Sequence, residues 1–348
     1  MYRGGVGIER LGIVGAGLMG AEIARVAAGA GLAVVLRDVD DGRVAAGMER
    51  PRAIGARRVD RGRMTPDEAD ALLRRATPTV ALEPLAGCDL VLEAVTEVLE
   101  VKLEIAADLD ALLAPGALIA SNTSGLSITA IGRATGRPDR VLGLHFFNPA
   151  SVMRLVEVVR GQDTSDATLE AGDALAERLG KTPVRVRECP GFLVSRMLVR
   201  AMAQAHRVAA REGAGPAAVD AAVVASGPAP MGPFALGDLV GLDTLDHVRR
   251  GLAEAYGGRF DDGGLVARRV AAGRLGRKSG AGFLAGAPEE APGEPDEAAR
   301  AAARAYYEGA LDEARRCVEE GIVAGPEDVD LGMVLGAGWS EGPIAQAA

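Results

Sequence analysis

The strongest constraint on how this chain folds is a short glycine pattern near its start. Residues 15–20 read Gly15-Ala16-Gly17-Leu18-Met19-Gly20, between the apolar run Leu11–Val14 and a helical pattern over Met19–Ala30. In a chain with 47 glycines the pattern alone is weak. Its context is stronger: strand, tight turn and helix are followed by a second apolar run, Ala33–Leu36, that leads into Asp38. Gly15 permits the turn, Gly17 lets a pyrophosphate reach the backbone, and Gly20 lets helix and strand pack closely. The helix opened by Leu18 and Met19 offers unbonded N–H groups and its positive dipole end to phosphates. Asp38 is placed to accept hydrogen bonds from both ribose hydroxyls of NAD and to repel the 2′-phosphate of NADP. Arg37 beside it is the one feature that would tolerate that phosphate, and an ordinary glycine turn is the bland alternative.

The 348 residues allow two or three domains. With 48% hydrophobic and 25% charged residues, disorder throughout, collagen and a small disulfide scaffold are excluded. Strands are expected at Leu11–Val14, Ala33–Leu36, Thr79–Leu82, Leu90–Ala94, Leu118–Ala120, Val141–Leu144, Leu155–Val159 and Val184–Arg187. Helical patterns such as Val98–Leu113 and Asp166–Leu179 lie between them. This alternation predicts an α/β fold, a Rossmann-type domain with a mostly parallel sheet over residues 1–188. From Gly191 the strand signal stops, and Phe192–Glu212, Pro216–Ala225, Phe234–Tyr256 and Leu265–Ala272 read as helices. An all-helical domain is therefore expected over 189–285, followed by an acidic Pro/Gly linker over 286–300.

Residues 301–348 read as a partial copy of the helical domain. Glu212-Gly213, Gly215-Pro216 and Asp220 recur as Glu320-Gly321, Gly325-Pro326 and Asp330. In both copies Gly-Pro returns twelve residues after the aspartate, at Gly232-Pro233 and Gly342-Pro343. Chance similarity in a chain rich in Ala and Gly is the alternative. Cys88, Cys189 and Cys317 show no metal-ligand spacing, so reduced thiols and no metal are expected. The apolar run Leu11–Ala21 makes a poor signal peptide, and three prolines interrupt the longest uncharged stretch, Ala221–Gly237. A cytoplasmic protein, with neither membrane nor nucleic acid as partner, is the expectation.

The net charge of −9 hides a basic island. Seven arginines, at 43, 50, 52, 57, 58, 61 and 63, face only Glu49 and Asp60 between Gly42 and Met64. A solvated helix face usually mixes its signs. A docking site for a polyanionic handle, such as the phosphates of coenzyme A or an acidic carrier protein, is the competing reading. Pro51 is expected to break or kink the helix there.

Only three histidines and three lysines are present. His145 ends one strand, and Glu157 sits inside the next apolar run. The two are symmetric about Ser151, so an antiparallel pairing would set them face to face. A carboxylate against imidazole fixes the tautomer and raises basicity, as a general base for alcohol oxidation requires. A core histidine with a structural glutamate is the alternative; His206 and His247 lie in helical patterns and are not expected to be catalytic. Glu93-Ala-Val-Thr-Glu97 with Lys102, and Ser121-Asn122-Thr123-Ser124, emerge at further strand ends, where α/β sheets bind ligands.

Together these segments resemble the 3-hydroxyacyl-CoA dehydrogenase family: GAGLMG at 15–20, EAVTE with Lys102, SNTS at 121–124, HFFNPA at 145–150, LVEVV at 155–159, PGF at 190–192, MGPFAL with GLD at 231–243, and GRKSGAGF at 276–283. The tail resembles the second helical repeat of multifunctional fatty-acid-oxidation enzymes. The resemblance implies NAD-dependent oxidation of an (S)-3-hydroxyacyl-CoA, or the reverse. It makes His145 the base, Glu157 its orienting partner, and Ser124 a hydrogen-bond partner of the substrate oxygen. Asp38 would hold the adenine ribose, and Glu97, Lys102, Asn122, Asn148 and Lys278 would belong to the NAD site. Arg57, Arg58, Arg61 and Arg63 fall where the family holds coenzyme A. Ser195 replaces the family's asparagine before Arg196 and has a shorter reach and one donor fewer. It leaves open an acyl-carrier-protein thioester or another small hydroxy substrate. A non-catalytic NAD sensor or scaffold is the reading from another class. The assembly expected is a homodimer, or a monomer in which the tail supplies an internal pseudo-dimer contact.

Overall fold

The structure, a computed structural model, describes residues 7–286 and 294–347, apart from the side chain of Arg50. The chain divides into two compact units, Met1–Glu188 and Cys189–Ala348.

In the first unit, β1 (Arg10–Val14), α1 (Leu18–Gly29) and β2 (Ala33–Arg37) follow one another as the glycine pattern requires. Then come α2 (Asp41–Asp60), α3 (Pro66–Arg74), β3 (Ala76–Thr79), β4 (Leu90–Glu93), α4 (Leu99–Leu112), β5 (Leu118–Ser121) and α5 (Ile128–Arg133). The unit closes with β6 (Val141–Phe146), β7 (Leu155–Arg160), α6 (Asp166–Arg178) and β8 (Thr182–Arg187). One sheet runs in the order β3-β2-β1-β4-β5-β6-β7-β8. Strands β1 to β6 are parallel, β7 is antiparallel to β6, and β8 is parallel to β7. The strands β4 and β5 are buried along their whole length, as expected where helices cover both faces of a parallel sheet. Ile13, Ile23, Leu36, Leu92 and Leu144 form part of the core beneath the site. The order reverses between β1 and β4. At such a switch point a crevice opens beyond the carboxyl ends of the strands.

Three local expectations need correction. The strand expected at Thr79–Leu82 lies instead at Ala76–Thr79, on the sheet edge, where Pro78 is tolerated because its missing N–H faces no neighbouring strand. The short helix α3 was not anticipated, although Thr65 and Glu68 form a complete capping box at its start. Of the break or kink expected at Pro51 the break is overturned: helix α2 runs through it, although Pro51 forgoes the bond to the Gly47 carbonyl four residues back.

The second unit is helical: α7 (Val194–Glu212), α8 (Pro216–Ser226), α9 (Pro233–Val240), α10 (Leu242–Tyr256), α11 (Leu265–Ala271), α12 (Glu297–Glu319), α13 (Pro326–Gly336) and α14 (Pro343–Gln346). The single helix expected over Phe234–Tyr256 is split at Gly241, whose φ of 101° no ordinary residue adopts readily. Helix α12 begins at Glu297, capped by Asp296, so residues 297–300 are helical and not linker. The remainder of the expected linker falls mostly at 287–293, outside the described residues.

The sequence repeat is a structural one. In each copy a long helix ends at a left-handed glycine, Gly213 or Gly321. Gly-Pro then starts a second helix, whose aspartate caps a third. Asp220 accepts from Phe234 N (3.0 Å) and Ala235 N (2.7 Å). Asp330 accepts from Ile344 N (2.9 Å) and Ala345 N (3.0 Å). Helix α12 lies against α7 so closely that a Cβ on Gly309 would sit 3.3 Å from the Ala201 Cα. Arg196, wholly buried at the start of α7, is held by Glu313 Oε1 (2.6 Å) and Glu320 Oε2 (2.8 Å) of the second copy.

Candidate active site

The glycine loop turns at Gly15, whose N–H donates to the Arg37 carbonyl (2.8 Å) and whose φ is 102°. A Cβ on Gly20 would lie 1.8 Å from the Gly15 carbonyl oxygen, so only glycine lets α1 start where it does. Gly17 is different: a Cβ there would meet nothing within 4 Å. That space, beside a helix start that carries no side-chain cap, is what an approaching pyrophosphate needs. Asp38 follows β2, and its carboxylate accepts from Ala16 N and Val39 N, both at 2.7 Å. The acid and the loop are thus one unit. Arg37 turns its Nε to the Val80 carbonyl (3.2 Å). The residues present fit a dinucleotide.

At the ends of β4 and β5, Glu97 is the hub. Its Oε1 accepts from Thr123 Oγ1 (2.6 Å), Ser124 N (2.9 Å) and Ser124 Oγ (3.1 Å). Burial raises its pKa, but Lys102 and these three donors outweigh it, so the carboxyl lies below the ordinary glutamate range. Lys102, expected among the cofactor-binding residues, is 1% exposed and buried beside Glu93 and Glu97, so it supports Glu97 from behind. Asn122 ties two strand ends together, its Oδ1 accepting from Phe146 N (2.9 Å).

Strands β6 and β7 pair antiparallel with His145 opposite Glu157, the register inferred from their symmetry about Ser151. His145 Nδ1 lies 2.5 Å from Glu157 Oε2, and Glu157 is fully buried. The Phe147 ring stands 4.4 Å from the imidazole, centre to centre. Asn148 follows on the exposed loop. A buried carboxylate on Nδ1 fixes the orientation of the ring.

Comparison with known proteins decides the family. The 3-hydroxyacyl-CoA dehydrogenase NAD-binding domain matches residues 10–189, and the C-terminal domain of the same family matches 191–286. This chain belongs to the 3-hydroxyacyl-CoA dehydrogenase family. The fatty acid oxidation complex subunit alpha of Acinetobacter baylyi is 34% identical over 354 aligned positions, covering 95% of this chain. The chain spans about half the length of the curated relatives it matches, 49% for that protein and for one from Psychrobacter. Among solved structures, the 3-hydroxybutyryl-CoA dehydrogenase of Escherichia coli superposes with a TM-score of 0.89 at 29% identity, covering 98% of this chain and 91% of that one. The (S)-3-hydroxybutyryl-CoA dehydrogenase of Ralstonia eutropha gives 0.77 at 38% identity, covering 80% and 99%.

The remaining residues of interest in this family member are dispersed. Arg57, Arg58, Arg61 and Arg63 are exposed at and beyond the end of α2, and no carboxylate pairs with them among the described residues. Ser195 and Lys278 belong to the second unit. Ser195 is partly buried in the first turn of α7, and Lys278 Nζ is paired with Asp243, whose carboxyl that ammonium holds below the usual range. His206 is buried against Phe234 and Phe283 in the second unit, and His247 is exposed on α10. Two residues of the 121–124 segment were given no separate role from sequence. Ser121 donates to Glu93, and Thr123 donates to Glu97. The acid that ends the apolar run LVLE is itself the legible signal, since a charge there must have a partner.

Proposed function

We propose that this protein interconverts (S)-3-hydroxyacyl-CoA and 3-oxoacyl-CoA with NAD as the hydride partner. The observation that carries the reading is the buried His145–Glu157 pair, 2.5 Å apart, on the same sheet as the glycine loop. NAD, which the glycine loop and Asp38 would hold, would supply the hydride acceptor for C3. His145 takes the proton of the 3-hydroxyl as that carbon is oxidised and returns it in the reverse direction. Glu157 holds the ring and stabilises the imidazolium that forms. Ser124 hydrogen-bonds the 3-oxygen, its own position set by Glu97. Asn148 serves the cofactor. Exposed Arg57, Arg58, Arg61 and Arg63 take the phosphates of coenzyme A, which supports a CoA handle over a free hydroxy acid.

The decisive measurement is NADH consumption by the pure protein with acetoacetyl-CoA. Turnover is expected, and NADH binding without turnover would sink the proposal. Replacing His145→Gln is expected to lower kcat by about a hundredfold to ten-thousandfold with NADH affinity retained. Rates on coenzyme A and carrier-protein thioesters of one acyl group decide the handle. In assembly, we infer a monomer in which α12 and α13 occupy the α7 face that would otherwise meet a second copy.

A further inference from the structure

The ion cluster at the ends of β4 and β5 is not neutral. Lys102 Nζ donates to both oxygens of Glu93, at 2.9 and 2.8 Å, and lies 3.5 Å from Glu97 Oε2. Glu93 is 1% exposed and also accepts from Ser121 Oγ and from Val95 N (3.3 Å). Two carboxylates therefore share one ammonium. Among the described residues no other basic side chain pairs with either acid, so the cluster carries a net charge of about −1. Burial keeps solvent and salt from screening it as they would a surface pair. Glu97, with its side chain 32% exposed, is the face it turns outward.

The strand order reverses between β1 and β4, and a dinucleotide lies across such a switch point with one half over each side. Asp38 and the glycine loop belong to the β1–β2 side. The ion cluster belongs to the β4–β5 side, which takes the nicotinamide half. That ring is a cation in NAD+ and neutral in NADH. A fixed negative charge interacts strongly with only one of the two.

We propose that the Glu93–Lys102–Glu97 cluster sets the relative affinity of this protein for oxidised over reduced cofactor, Glu93 being the buried positioning residue that fixes its charge. The inference rests on the NAD-binding reading above and not on the identity of the acyl substrate. Glu93 holds Lys102 with both oxygens, so the ammonium never neutralises Glu97 outright. Removing either carboxylate brings the cluster to neutrality and withdraws the preference for the cation.

The test is binding, not turnover. Dissociation constants for NADH, by its fluorescence, and for NAD+, by calorimetry, are measured on the full chain and on Glu93→Gln, Glu97→Gln and Ser121→Ala. The ratio Kd(NAD+)/Kd(NADH) is expected to rise in both carboxamide variants, on the order of fivefold. It is expected to stay at the wild-type value in Ser121→Ala, which removes a hydrogen bond on Glu93 but no charge. Both affinities falling together at a constant ratio would show a structural role alone and overturn the proposal. So would a shift of the same size in Ser121→Ala. Glu97→Gln, at the more exposed position, carries the test if Glu93→Gln folds poorly. A wild-type chain that binds neither cofactor would overturn the NAD reading itself, a result distinct from an unmoved ratio.

Discussion

Gly17 and Gly20 stand in one motif and do opposite work. At Gly17 a methyl group meets nothing within 4 Å, so Gly17→Ala is expected to unfold within about 1 kcal/mol of wild type. It is also expected to weaken NADH binding at least tenfold, because the methyl fills the pyrophosphate's place. Gly20→Ala drives its Cβ to 1.8 Å from the Gly15 oxygen and is expected to yield little folded protein. Thermal melts and NADH titration of the two variants check both halves. His206 gives the pH prediction. Burial, against the charge of Asp262 and a bond to the Pro233 backbone, pushes it down to about 4 from 6.5. The folded state therefore takes its proton later than the unfolded chain as pH falls. Its stabilising contribution is complete above about pH 6.5 and drains away toward pH 4. In urea melts, wild type is expected to lose on the order of 2 kcal/mol more than His206→Gln between pH 7 and 4.5. The His145–Glu157 register was legible because period and symmetry alone fix which strand positions oppose. The burial of Lys102 was not, since a lysine five residues after an acid reads equally well as a surface pair.

Elements were legible where their signal was hydrophobic. The central strands are mostly apolar because both faces are covered, and they lie within two residues of their expected bounds. The edge strand Ala76–Thr79 needs no apolar run, so the more apolar segment beside it misled. Helix α3 buries none of its residues and is defined by its cap, a signal of four residues. The division of α9 from α10 hangs on one dihedral at Gly241, invisible to periodicity. The aspartate clamps of the repeat are the elements' firmest joints. Asp220 is 8% exposed and serves two backbone donors of α9, while burial pushes its own carboxyl up to about 6 against those same bonds. Asp220→Ala strands both N–H groups and is expected to cost about 2–4 kcal/mol. Asp330→Ala, whose bonds are more exposed, is expected to cost less than half of that. Chemical denaturation of the two variants ranks them.

At the scale of the whole molecule, the acidic sequence and its basic island serve different surfaces. The charge count from sequence located the island but not the solvent exposure of its arginines. The tail was legible as a repeat that packs on the helical domain, but its ion pairs were not, because nothing in Glu313 or Glu320 marks them as partners of Arg196. Light scattering is expected to report a monomer across the micromolar range, since the α7 face is covered by α12. A dimer would show that some other surface joins two copies.

Counting back from Gly213 and Gly321 pairs Ala201 with Gly309 and Arg196 with Arg304. Equivalent residues Ala201 and Gly309 touch each other, which is the mark of a twofold axis running through a single polypeptide. Two identical chains must carry every substitution twice, once on each side of their axis. One chain holding both sides is released from that bond. Arg196 is wholly buried between two glutamates, whereas its counterpart Arg304 lies in solvent, paired with Glu297. The two copies share a plan without sharing surroundings, and each arginine answers to its own neighbours.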